Sequence, residues 1–239
     1  MKKIIFIINS LIFTLVCSAQ TINVHKTHGE IVVFQLSDVE YIDFTLSSPE
    51  QDENTPAGLE VIDLGLPSGT LWASMNIGAT KPEEKGDYYS WGETEIKSFY
   101  NWSNYSYCNG TRETCKEIGS DIGGTKYDVA REKWGGSWRI PTIEDIDELC
   151  NNCLSQWITI NGITGRQFTG PNGKTVFFPA AGRRWEYDTI LPSVGVYWSS
   201  TAGNDGATPT LLFGSGNSGG RGNDERASGI LVRPVKHTK

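Results

Sequence analysis

Two short helices stand together near the middle of a chain that otherwise reads as strands and turns. "YDVAREKW" (127–134) stops at Gly135-Gly136, a helix C-terminal signal. "PTIEDIDELCNNC" (141–153) starts at an N-cap, Thr142, with acidic residues in its first turn, where they suit the helix dipole. Its apolar positions Ile143, Ile146, Leu149, Cys150 and Cys153 recur at helical spacing on one face, so both cysteines point at a core. Ahead of the helices, "LEVIDLGLPSGTLWASMNIGA" reads as two short strands about the turn Pro67-Ser68-Gly69, and "GDYYSWGE" (86–93) as an aromatic strand. Residues 98–125 read as a long polar loop with glycosylation-type sequons at Asn101, Asn104 and Asn109. Behind the helices, strands are expected at 156–160, 175–179, 195–199, 211–213 and 229–235. Strands and helices never alternate, which excludes a doubly wound sheet and a TIM barrel and leaves an α+β class. Eight tryptophans and 27 glycines fit many short strands and turns better than a helical bundle.

The N-terminal end carries other signals. Lys2 and Lys3 precede an apolar run from Ile4 to Val16, and Cys17-Ser18-Ala19 supplies small residues at the −3 and −1 positions. This is the pattern of a secretory signal peptide, 1–19, cleaved before Gln20, and the run is too short to span a bilayer. The competing reading is a lipoprotein acylated on Cys17, against which stands Val16 where that signal wants a small residue. Residues 20–44 then alternate as a β-hairpin leader turning at His28-Gly29, with a third short strand at 39–44. Such a leader cannot bury a core alone and must dock on something. Residues 45–58 are polar, proline-bearing and aperiodic, a linker. The main domain occupies 59–236. The chain is expected to be exported to the periplasm, the outer surface or the medium, with no transmembrane segment. Its net charge of −7, without a basic stripe, argues against nucleic acid as a partner.

Export gives the cysteines meaning. Cys108, Cys115, Cys150 and Cys153 remain after the signal is removed, an even number that reads as two disulfides with three connectivities. A four-thiolate zinc site is the alternative, since Cys150-x-x-Cys153 has ligand spacing, although the Cys108/Cys115 pair does not.

Six motifs in order, "DLGLPSGTLWA", "GDYYSWGET", "WGGSWRIPT", "FTGPNG" with "FFPAAG", "YWSS" and "VRPV", resemble the Fibrobacter succinogenes major paralogous domain, common in exported proteins of gut Bacteroidales. The resemblance covers about 59–236. It implies a C-type-lectin-like fold: short twisted antiparallel strands, two central helices, long loops, and terminal strands that meet. A long irregular region before the last strand would form the exposed face. In that fold Trp138 and Trp198 are core.

Three functions are open to such a chain. An enzyme is disfavoured because the only histidines are His25, His28 and His237, so the main domain lacks a histidine for a nucleophile–base pair or a zinc–water site. The fold is shared with formylglycine-generating enzymes, but those use cysteines near the C-terminal active site, and the last cysteine here is Cys153. A surface recognition domain for an unknown glycan or surface protein is preferred. A structural or adhesin subunit, assembled through the N-terminal hairpin, is the alternative.

The candidate contact residues fall in two places. Residues 201–228 form a bland insert, 21 of whose 28 residues are Gly, Ala, Ser, Thr, Asn or Asp. It is expected to be an exposed loop face, with Asn204, Asp205, Asn217, Arg221, Asn223, Asp224 and Arg226 as contacts. It carries no Lys, Gln, Met or Trp and a single Glu, a bias that adenine-directed retroelement diversification would also leave. "GND" at 203–205 and 222–224 offers Asp205, Asp224 and Glu225 as calcium ligands, but Asn and Asp in glycine-rich turns are ordinary turn formers and the lectin calcium motifs are missing. No other cofactor is expected. The second place is "GRRWEYDTILPSVG" (182–195), where Trp185 and Tyr187 flank charges.

Overall fold

The computed structural model describes the strands of residues 4–8, 11–15, 21–25 and 31–35, and residues 55–237 throughout. The chain separates into two compact units, Met1–Glu50 and Gln51–Lys239. In the first unit β1 (Ile4–Ile8) and β2 (Leu11–Leu15) pair antiparallel. Thus the residues with the export-signal pattern satisfy their backbone groups as a hairpin, as branched and aromatic residues readily do. β3 (Thr21–His25) and β4 (Ile31–Gln35) form the expected antiparallel leader hairpin, with Thr21 opposite Gln35. Its turn at 26–30 and the strand expected at 39–44 lie outside the described residues.

The second unit is α+β, built on small antiparallel sheets. β5 (Val61–Asp63) and β6 (Thr70–Ala73) flank the Pro67-Ser68-Gly69 turn. α1 (Val129–Trp134) and α2 (Ile143–Asn152) follow. Next come β7 (Leu154–Ile160), β8 (Ile163–Thr169) and β9 (Thr175–Pro179), a three-stranded meander. β10 (Arg183–Trp185) and β11 (Asp188–Ile190) make a short hairpin. β12 (Gly195–Trp198), β13 (Ala207–Phe213) and β14 (Gly220–Glu225) make a second meander. β15 (Val235–His237) returns to pair with β6, placing Val235 opposite Trp72. The last strand therefore closes the sheet begun by the first strands of the unit.

Both helices start where local chemistry dictates. The Thr142 side chain accepts from the Asp145 amide, and Asp145 answers by accepting from the Thr142 amide at 2.8 Å, a reciprocal cap. α1 is capped by Asp128 and ends at Gly135, whose φ of 72° suits glycine. The apolar face of α2, through Ile143, Ile146 and Leu149, packs into a cluster with Trp72, Phe168, Phe178, Tyr197 and Phe213. A second cluster gathers Met75, Trp91, Trp134, Trp138, Trp198 and Val232. Trp138 and Trp198 are each 1% exposed and belong to this core.

Four expectations change. "GDYYSWGE" makes an isolated bridge from Tyr89 to Ile230 rather than a strand, and its aromatics are buried by tertiary packing. Of 229–235, Gly229, Ile230 and Leu231 touch separate partners through single bridges, and only Val235 enters a ladder, as the first residue of β15. A continuous ladder fails there because Pro234 has no amide to donate and the carbonyls of Ala73 and Ser74 are taken by the Arg233 side chain. β8 was not foreseen, although Asn161-Gly162, with φ of 50° and 82°, is the left-handed pair that a tight hairpin needs. The fourth change is the largest: the bland insert is mostly a β-hairpin. β13 and β14 pair from Ala207↔Glu225 to Leu212↔Gly220, and Thr208, Thr210, Leu211 and Phe213 are buried.

Asp128 shows how the core treats a carboxylate. Its two oxygens accept from the amides of Ala130, Arg131, Gly124 and Ile140 at 2.7–3.3 Å. Burial still outweighs those four donors and pushes its pKa up to about 6. The folded state therefore holds this proton more tightly than the unfolded chain. Asp128's contribution is fully present below about pH 4 and is lost as the pH rises through about 6, on the order of 3 kcal/mol. A ¹³C titration of the Asp128 carboxyl should find its midpoint near 6, and a midpoint at or below the ordinary aspartate value would contradict this account. Asp145 runs the other way. Burial raises it, but the Arg139 guanidinium at 2.7 Å, the Thr142 amide and the Thr70 hydroxyl hold it below the usual range.

Candidate functional site

A surface groove of about 650 Å³ opens between the β10–β11 hairpin and the β12–β14 sheet. Trp185, Ile190 and Leu191 form one wall; Val196 and Leu212 supply apolar floor; residues 223–225 of β14 form the opposite rim, with the Asp224 side chain on the groove face, and Arg112 and Arg183 add guanidinium groups. The strand register explains the convergence. Val196 stands opposite Leu212, and Thr208 opposite Asp224, so these side chains share one face of the sheet.

The polar wall is fixed internally. Asp224 Oδ1 accepts from Arg183, from Ser228 Oγ at 2.9 Å and from the Glu225 amide at 2.8 Å. Arg183 Nη1 also reaches Ser228 Oγ at 3.2 Å. This ties β10 to β14 through partly buried charges. The hairpin is held from below as well: the backbone of Glu186 exchanges two hydrogen bonds with Tyr100, at 2.6 and 3.1 Å, and Arg184 pairs with Gly229. Arg112 sits inside the loop closed by the Cys108–Cys115 disulfide, and its Nε donates to the Asp205 carbonyl.

Backbone strain gathers here. Among the described residues, Asn161, Glu186, Leu191 and Asp205 are the non-glycine residues with positive φ, at 50–54°. Leu191 lines the groove, Glu186 turns its hairpin, and Asp205 holds Arg112. Left-handed backbone costs such residues about 1–2 kcal/mol each and persists only where the surroundings enforce it.

The sequence-based candidates divide accordingly. Trp185 and Asp224 come together in the groove, and Asn223 and Glu225 lie on its rim. Tyr187 lies at the hairpin tip, 70% exposed, with its ring 4.7 Å from that of Phe99. Asn204 is exposed beside the turn that closes on Ala207. Asn217 accepts from the Gly214 and Gly219 amides at 3.1 and 3.2 Å, the work of a turn former. Arg221 is engaged with both carboxylate oxygens of Asp147 on α2. Arg226 is a correction. It is 1% exposed, lies 4.6 Å over the Trp91 ring and donates to the Gly203 carbonyl at 2.9 Å, so it anchors the insert from inside. Asp205 lines a separate cleft with Glu113 and Glu117 and does not join Asp224 and Glu225 as the calcium reading required. Among the described residues no three acids, histidines or cysteines come together as metal ligands.

The cysteine reading is half corrected. Cys108 and Cys115 are bonded, which also removes them from any four-thiolate zinc site. Cys150 and Cys153 are free thiols packed against the α2 cluster. Burial pushes the Cys150 thiol up to about 12 and the Cys153 thiol up to about 11, the opposite of a reactive pair.

Sequence reasoning missed Arg112 and Arg183. Their charges were visible, but the Arg112–Asp205 and β10–β14 contacts that aim them are long-range. No helix among the described residues is long and apolar enough to cross a membrane. No protein-family model, curated protein or solved structure matches the chain.

Proposed function

We propose that this chain is an exported surface recognition domain, of C-type-lectin-like fold and of the Fibrobacter succinogenes major paralogous kind, that binds a glycan or protein ligand in the Trp185 groove without catalysis. The observation that carries the reading is the convergence of Trp185 with Arg183 and Asp224 across one open groove. A partly buried aromatic anchor beside orienting polar groups is the usual chemistry of recognition on a rigid scaffold. The closing of the unit by β15 on β6, the two helices and the six motifs in order support the fold assignment. The Cys108–Cys115 disulfide is consistent with export. Asp224 Oδ1 already accepts from three donors, which hold this carboxylate in place as part of the groove wall.

The test is an array carrying glycans and extracellular proteins. Trp185→Ala should weaken the strongest retained ligand at least about tenfold, the loss typical of an aromatic anchor. Arg221→Ala, outside the groove, should leave it unchanged. Retention indifferent to Trp185 would remove the groove from the reading.

A further inference from the structure

We infer that the open edge of β7 pairs with β7 of a second copy of this chain, antiparallel about a two-fold axis at Trp157. The contact joins two three-stranded meanders into one sheet. It involves none of the groove residues and goes beyond the recognition reading. β7 lies at the edge of the β7–β9 sheet, with β8 as its pairing partner. Its turn decides which backbone groups it offers. Ile160 and Ile163 close the two-residue Asn161-Gly162 turn, so they exchange both of their hydrogen bonds, and every second pair back along the ladder does the same. The amide and carbonyl groups of Ser155, Trp157 and Thr159 therefore point away from β8. The phase is confirmed on the other side: the Ala180 amide donates to the carbonyl of Thr164, the residue opposite Thr159, so Thr164 serves β9. Among the described residues those three outward sets have no backbone partner.

Sheet edges that must stay single are blunted by charge, proline or a bulge. Elsewhere in the unit this is done: β14 carries Arg221, Asp224 and Glu225, β15 carries Lys236, β9 ends at Pro179, and β12 is bridged by Leu231. β7 has no such device. Its sequence LSQWITI holds no charge and no proline, and its pairs with β8 run without a break from Leu154↔Thr169 to Ile160↔Ile163. Its outer face shows Leu154, 81% exposed, with Ile158 and Ile160 half-buried in the same row. The strand itself names the occupant. A two-fold contact sets a strand against its own reverse, so the strand must match itself read backward. About Trp157, Leu154 falls opposite Ile160, Ser155 opposite Thr159, and Gln156 opposite Ile158. With that centre the outward groups meet one another, Trp157 with Trp157 and Ser155 with Thr159 on either side, which makes about six hydrogen bonds. No like charges are opposed, and Leu154 gains Ile160 of the second copy as its cross-strand neighbour. Such a dimer would carry two Trp185 grooves and hold an arrayed ligand by avidity.

The mature full chain is followed by sedimentation velocity over a range of concentrations, and its amide exchange is measured by NMR at both ends of that range. The wild type should sediment as a dimer at the high end. The amides of Ser155, Trp157 and Thr159 should exchange more slowly there, while those of Gln156 and Ile158, already bonded to β8, should not follow. Thr159→Pro removes one outward amide from each copy and should weaken the dimer at least about tenfold. Leu154→Lys, at a site the fold leaves exposed, should weaken it as well. Val33→Lys, exposed on the leader hairpin, should leave it unchanged. If Thr159→Pro does not fold, Leu154→Lys and the exchange pattern carry the test. A chain that stays monomeric throughout, with those three amides indifferent to concentration, would overturn the inference and leave the groove reading standing. A dimer that survives both β7 variants would overturn it too, and loss of that dimer in Val33→Lys would place the contact on the leader instead.

Discussion

Replacing Arg233 by methionine should cost the folded protein about 3–5 kcal/mol and lower its melting temperature by roughly 10 °C. Arg233 is 1% exposed, and burial pushes its pKa down to about 10, so it is still charged at neutral pH. Its guanidinium donates to Asn76 Oδ1 at 2.7 Å and to the carbonyls of Ala73, Ser74 and Phe177 at 2.7–3.0 Å. Two terms compete on substitution. Methionine relieves the cost of burying a cation, but it leaves four acceptors dry, at about 1–3 kcal/mol each. Four orphans outweigh one relieved charge, because those acceptors lie on two stretches, residues 73–76 and Phe177, that this side chain ties together. Urea unfolding of wild type and Arg233→Met decides it; coincident midpoints would show that the relieved charge wins.

Phe178→Ala should cost a similar amount, about 3–5 kcal/mol, as a buried aromatic truncation with little room to collapse. Phe178 is fully buried, edge-on to Trp72 at 5.6 Å, Phe168 at 5.4 Å and Tyr197 at 5.1 Å. Arg233 lies 4.7 Å over its ring. The two substitutions therefore share a contact, and their costs should fall short of additivity by about 1 kcal/mol in a double-mutant cycle. Near-ultraviolet circular dichroism with guanidinium melts would measure both the loss of ring packing and the stability. A cost below about 1.5 kcal/mol for Phe178→Ala would mean that this cluster does not hold the two meanders together.

These two residues also mark where sequence reading stops. The helices were legible because their caps, Asp128, Thr142 and Gly135, are local signals. The leader hairpin was legible by alternation. Phe178 was readable as strand core, but nothing local in "VRPV" says that Arg233 turns inward. The β13–β14 hairpin was hidden for a related reason. Its groove-side positions include Thr208, Thr210 and Gly222, too small and polar to print a period-two pattern against Leu211 and Phe213 in the core. Gly222 is small for cause: a Cβ there would lie 2.8 Å from both Leu212 and Thr210. Of the site, Trp185 and Asp224 were each legible as candidates, yet their meeting depends on Arg183 and Ser228, 45 residues apart. Arg226 misled because a charge in a glycine-rich run resembles a solvent contact until Trp91 is folded over it.

The pairing of β15 with β6 bears on the order in which such a chain can become a protein at all. The acceptors of Arg233 on Ala73, Ser74 and Asn76 lie 157–160 residues earlier in the chain. As the polypeptide is made, those groups wait unsatisfied until more than 150 further residues have followed, and the β5–β6 pair gains its third strand only then. A fold so dependent on non-local closure is slow to commit. Slowness of this kind suits a chain proposed to travel through an export channel unfolded, since the length of the loop itself keeps the domain open until the journey is over.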